Sequence, residues 1–164
     1  MNIFYLEECP QKCARSYYDR HVVKMILEAA QMLSTAHRVI DKDTLSDEYS
    51  LILYKKTHEN HPSSRWVRHS LENYVWTYRL LVFLCQEYTY RYGKKHATER
   101  LLPILCYAPE GLESNKFTPP PSVMPVEYQI SSDSLINYRN YYINGKYALQ
   151  KYTKREFPNW LLTK

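Results

Sequence analysis

Val67, Leu71, Tyr74, Val75, Tyr78, Leu81, Val82, Cys85 and Tyr88 recur at intervals of mostly three and four residues. That spacing gathers them on one side of an α-helix and is incompatible with the two-residue alternation of a strand. The run predicts a long helix, capped by Ser63 or Ser64, that reaches Tyr92 and stops at Gly93, the usual place for a terminating glycine. A helix of about 30 residues spans roughly 45 Å. The rest of the chain must therefore pack along it.

Asp19 to Arg38 predicts a second helix, capped by Asp19, with Val22, Ile26, Ala29, Ala30, Leu33 and Ala36 on its core face. A different face is less ordinary. His21, Lys24, Glu28, Gln31 and Thr35 fall within about 60° of one another. Solubility alone would be met by any mixture of Lys and Glu. An imidazole, an ammonium, a carboxylate, an amide and a hydroxyl in one stripe suit a site that faces a single ligand. A solvated face with an i,i+4 Lys24–Glu28 pair has the same pattern.

Elsewhere Pro10 permits a short helix over Gln11 to Tyr18, and residues 41–48 form a polar connection. A shorter helix is predicted from Thr98 to Cys106. Pro109, Gly111, Pro119, Pro120, Pro121 and Pro125 then mark a Pro-rich loop up to Tyr128. Ser132 or Asp133 caps a last helix through Ile143, followed by a basic aromatic tail to Trp160. The opening MNIFYL is either a strand or a docked terminus. The expectation is an all-α fold: a compact single-domain helical bundle over residues 1–164, with one long central helix.

Three glycines in the chain are too few for a Gly-rich phosphate loop, which excludes P-loop and Rossmann sites. Lys and Arg number 22 against 17 Asp and Glu, a formal charge of +5, which favours a polyanionic partner. Seventeen tyrosines supply flat faces with polar tips, suited to stacking on bases. Cys9, Cys13, Cys85 and Cys106 form no CxxC pair and follow no secretory leader, so reduced thiols in a cytoplasmic protein are expected. No apolar run approaches the roughly 20 residues that cross a bilayer, so no membrane partner is expected.

Glu28 stands two turns after His21, so both project over one patch and fit general acid–base work. His58 and His61 stand three apart, and a zinc site would add His21 or Glu59. Nothing in the spacing demands it, and neither metal nor cofactor is expected. Thr57, Asn60, His61 and Ser63 instead converge on a helix entrance suited to phosphate. Along the long helix, Arg65, Arg68, Arg79 and Trp76 interleave cations with an aromatic ring. Tyr138-Arg139-Asn140-Tyr141-Tyr142 repeats that chemistry.

With these residues in place, the chain resembles the phage-encoded pyrimidine-dimer DNA glycosylases with AP-lyase activity, the endonuclease V family. Asp19, His21 and Glu28 match that family's Asp-x-His followed seven residues later by a catalytic Glu. His61 and the Arg65–Tyr92 stretch resemble its long central helix with a histidine at the head. Tyr138 through Lys146 is similar to its C-terminal segment that lies against DNA. The resemblance implies a small all-α fold and a mechanism in which the N-terminal amine attacks the sugar C1′ of a damaged nucleotide. The Schiff base that forms is then processed with the Glu as acid and base. An α-amine titrates at about 8, so a fraction is neutral at neutral pH. Carried over here, Glu28 is the acid–base group and His21 its companion. The family exposes a small second residue after its initiator is removed, whereas Asn2 is large enough to retain Met1, so the nucleophile would be the Met1 amine. The family's Arg before the Glu is Leu27 here, which removes a phosphate contact.

Three functional readings follow. In the first, the chain is a glycosylase and lyase acting on a damaged or modified base in DNA. In the second, the residues form a non-catalytic pocket for a nucleotide, as in a phage counter-defence protein that sequesters a signalling nucleotide. There tyrosines stack, His21, Gln31 and Asn60 read base edges, and Lys24 or Arg65 takes phosphate. In the third, the proline loop and aromatic tail serve a structural or interaction role. Oligomeric state stays open.

Overall fold

The structure is a computed structural model and describes residues 1–162. It is all-α: 59% helical, with eight α-helices and no strand among the described residues. In chain order they are α1 (Pro10–Arg15), α2 (Asp19–Ile40), α3 (Asp47–Ile52), α4 (Pro62–His69), α5 (Leu71–Tyr92), α6 (Leu102–Leu105), α7 (Ser134–Asn140) and α8 (Asn159–Leu162).

The predicted core face of α2 is buried at all six positions, Val22, Ile26, Ala29, Ala30, Leu33 and Ala36. It packs on α5 and α4, and α1 lies against α5. Each large apolar side chain in this layer contributes about 1.5–3 kcal/mol by leaving water. Gly93 closes α5 with a left-handed φ of +69°, which glycine adopts without a Cβ penalty.

The long central helix is in fact two. Ser70 is extended, with φ −145° and ψ 146°, and separates α4 from α5. Its hydroxyl donates to the Lys116 carbonyl, and the Leu71 amide donates to the Ser114 carbonyl. A distant segment thus takes the hydrogen bonds that a continuous helix would have made. Ser70 accepts from the Asn73 amide and caps α5, while His61, rather than Ser63 or Ser64, caps α4.

Asp19 is the first residue of α2 and not its cap. Its carboxylate accepts from Thr153 and from Arg91, whose guanidinium also reaches Glu87 at 2.8 Å and the carbonyls of Arg15 and Tyr17. Arg155 binds the same Glu87 through two nitrogens, at 2.8 and 2.9 Å. These bonds hold both buried carboxylates below their ordinary pKa against the cost of desolvation. The network joins the ends of α1, α2 and α5 to the C-terminal tail.

MNIFYL is a docked terminus. Ile3 to Leu6 are buried, with Phe4 among Tyr17, Tyr138 and Tyr142. After α7, which Asp133 caps, the chain continues through one π turn, Tyr141–Gly145. A Cβ on Gly145 would come within 2.5 Å of the Tyr141 ring and 2.8 Å of Tyr128, so only glycine lets those rings close. All four cysteines are free thiols. No helix is long and apolar enough to cross a membrane among the described residues.

Candidate functional site

Docking of the N-terminal segment brings the start of the chain onto the polar stripe of α2. The Asn2 amide donates to Glu28 Oε2 at 2.8 Å, and the Met1 amine lies 3.7 Å from the same oxygen. Lys24 Nζ stands 3.3 Å from Oε1. Glu28 is buried, and both its oxygens therefore face positive or donor groups. The Met1 side chain is 2% exposed and its sulfur accepts from the Ser64 hydroxyl, yet the residue as a whole is partly exposed. What remains open to solvent is its backbone end, which carries the amine.

Asn2 anchors this arrangement. Its side-chain oxygen accepts from the Ile3 amide and the Tyr138 hydroxyl, and its side-chain nitrogen donates to the Val123 carbonyl. The terminus is thus tied to α2, α7 and the Pro-rich loop together. Sequence reasoning gave Asn2 no role beyond its size, because apart from Ile3 its partners lie 26 to 136 residues away.

His61 stands within electrostatic reach of both groups. Burial, then the positive charges of the Met1 amine and His58, bring its pKa down against the opposing pull of Glu28. Its Nδ1 accepts from the Ser63 amide at 3.2 Å. A neutral ring with Nδ1 accepting carries its proton on Nε2. His61 therefore keeps one N–H donor, on Nε2, at the first turn of α4.

The structure divides the sequence-predicted residues sharply. Met1, Lys24 and Glu28 come together, and His61 caps the neighbouring α4. Gln31 is half-buried and Asn60 exposed, and neither side chain makes a hydrogen bond among the described residues. Thr35 is buried and exchanges hydrogen bonds with the Thr57 backbone. His21 belongs to a different environment. Its ring stacks on Phe4 at 4.4 Å and shares a hydrogen bond between Nδ1 and the Tyr142 hydroxyl, and it is buried. Desolvation, and then the charges of Lys146 and Lys24, lower it to about 4. At neutral pH it is an uncharged core histidine.

The expected stacking surface is also core. Trp76, Tyr138 and Tyr142 are buried. The Trp76 indole donates to the Glu8 carbonyl, and Tyr138 supports Asn2. Helical spacing marks which residues share a face but not which face a neighbour covers, which is why these rings look exposed in sequence. Arg139 is committed to Glu7 and the Leu6 carbonyl, and Tyr141, partly exposed, packs on Tyr128. Arg65 and Arg79 are exposed, with no ion pair or side-chain hydrogen bond among the described residues. Arg68 donates to the Glu59 carbonyl.

Arg65, Trp66, Arg68 and His69 line a cleft of about 430 Å³ against Val39 and Ile40 at the end of α2. No group of three His, Cys, Asp or Glu side chains is placed to hold a metal among the described residues. His58 bonds to Thr57 and His61 caps a helix. Compared with family models, with curated proteins and with solved structures, the chain has no significant match.

Proposed function

We propose that the chain is a DNA glycosylase and AP lyase acting on a damaged or modified nucleotide, with the Met1 amine as nucleophile and Glu28 as the acid–base group. One observation carries this reading: the amine of Met1, a residue whose exposed part is its backbone end, lies 3.7 Å from a buried carboxylate. Lys24 stands on the other oxygen of the same carboxylate, and an ammonium is suited to the phosphates of a nucleic acid.

The chemistry balances with these groups. The lone pair of the neutral amine forms a bond to C1′ as the glycosidic C1′–N bond breaks, and the base leaves with that electron pair and takes up a proton. Bonded to C1′, the nitrogen carries two protons and a positive charge. Glu28 takes one of them and returns it to the ring oxygen as the C1′–O bond breaks. The other stays on the protonated imine that forms, and the departed base takes its proton from solvent. Removal of a C2′ proton then breaks the C3′–O bond and releases the phosphate. Glu28 also stabilises the cationic sugar.

Incubation with abasic duplex DNA and borohydride is expected to trap a covalent adduct on the Met1 peptide, identified by mass. Glu28→Gln is expected to lower its formation by about 10²–10⁴-fold, the usual contribution of a general acid–base group. Two extra residues ahead of Met1 are expected to abolish it. An absent adduct, or one on a lysine, overturns the proposal.

The Arg65–Trp66 cleft favours a second reading, capture of a nucleotide without turnover. Two arginines there suit a phosphate, and apolar walls suit a base. Stabilisation in a thermal-shift panel of nucleotides, lost in Arg65→Ala and without any adduct on DNA, supports it. The tyrosine stacking once expected of such a pocket is not part of it, since Tyr138 and Tyr142 are core.

A further inference from the structure

On the outer face of α2, two apolar side chains are partly open to solvent. Val23 and Leu27 are 39% and 38% exposed, whereas Met25, Ile26, Ala29 and Ala30 on the same turns are buried. Four residues apart, they lie one above the other as a ridge on the outer face of α2. Arg20 and Lys24, both exposed, lie on the same face. Leu27 directly precedes Glu28, about 100° around the helix from it, so the ridge borders the carboxylate. Single exposed apolar residues are ordinary. A pair flanked by two cations and next on the helix to Glu28 has a definite chemical complement: stacked bases between phosphates.

We infer that Val23 and Leu27 form an apolar wedge that enters a base step, and that the substrate is duplex rather than single-stranded DNA. This rests on the activity proposed above. The amine is held back by the buried Met1 side chain and the Asn2 amide on Glu28, so it cannot reach into a stacked duplex to find C1′. The target nucleotide must leave the stack. Apolar side chains inserted between bases fill the gap that unstacking opens, which lowers its cost. Arg20 and Lys24 hold the phosphates on either side. A second copy of this chain would also cover an apolar ridge, but its net charge of +5 and the two flanking cations oppose a like partner.

The test compares one abasic sequence as duplex and as single strand, with 2-aminopurine beside the abasic position to report unstacking. In wild type, binding is expected to raise the 2-aminopurine signal in the duplex. Leu27→Gln, polar and of similar size at an exposed position, is expected to lower the duplex-to-single-strand ratio of adduct rates about tenfold or more, and to abolish that rise. Leu27→Met is expected to retain both. Leu51→Ala, at an 88% exposed position on α3, is expected to change neither. An unchanged ratio and signal in Leu27→Gln overturns the wedge, as does a dimer in sedimentation that Leu27→Gln dissociates. If wild type forms no adduct on either DNA, the proposed activity fails. The 2-aminopurine signal then still decides the wedge: a rise lost in Leu27→Gln supports it, and an equal rise overturns it.

Discussion

Burial against Phe4, with the charges of Lys146 and Lys24, brings the His21 imidazole from 6.5 to about 4. The unfolded chain therefore binds a proton between these values that the folded chain does not. Stability from this group is complete above pH 6.5 and is lost as pH falls through about 4, to the extent of about 3 kcal/mol. Urea midpoints measured from pH 7 to 4 should fall more steeply in wild type than in His21→Gln. Residue type and spacing alone put His21 with Glu28 as a working pair. Which ring the imidazole stacks on is a property of distant chain, and that decides its charge. Glu28 itself was legible, because no core face needs a carboxylate in that stripe. The Asn2 amide on its Oε2 was not.

At the scale of elements, Arg91 carries the largest single consequence. Its guanidinium sits between Asp19 and Glu87 and caps the carbonyls of Arg15 and Tyr17. Arg91→Ala leaves two buried carboxylates short of a partner and is expected to cost about 3–5 kcal/mol in chemical denaturation. Ser70→Ala should cost about 1 kcal/mol through loss of the α5 cap. The apolar rhythm from Val67 to Tyr88 runs through Ser70 without a break, since a serine offends neither a helix nor a cap. The interruption is written in Ser114 and Lys116, whose carbonyls draw the backbone out of the helix. Gly93, by contrast, could be read directly, because only a residue tolerant of a left-handed φ ends α5 so cleanly.

Across the whole molecule, Lys24, Arg65 and Arg79 are exposed cations on α2, α4 and α5. If these cations meet phosphates, log Kd for duplex DNA should vary linearly with log salt, and Arg65→Ala should reduce the slope by about 1. An anisotropy titration at three salt concentrations checks it. The sequence by itself determined the helical class, the core face of α2, the Pro-rich crossing and the basic balance. These depend on period, composition and local sterics, which neighbouring residues carry. Only the tertiary structure decided which polar residues meet. Met1 reaches Glu28 because Phe4 packs into a pocket built by Tyr17, Tyr138 and Tyr142. Trp76 and the paired tyrosines are core because other segments cover them. The polar stripe of α2 thus splits: Glu28 lies between the amine and Lys24, while His21 belongs to the interior. Contacts between segments distant in sequence leave no mark on local periodicity, and the amine meets Glu28 only because Asn2 is held by Val123 and Tyr138, more than a hundred residues away.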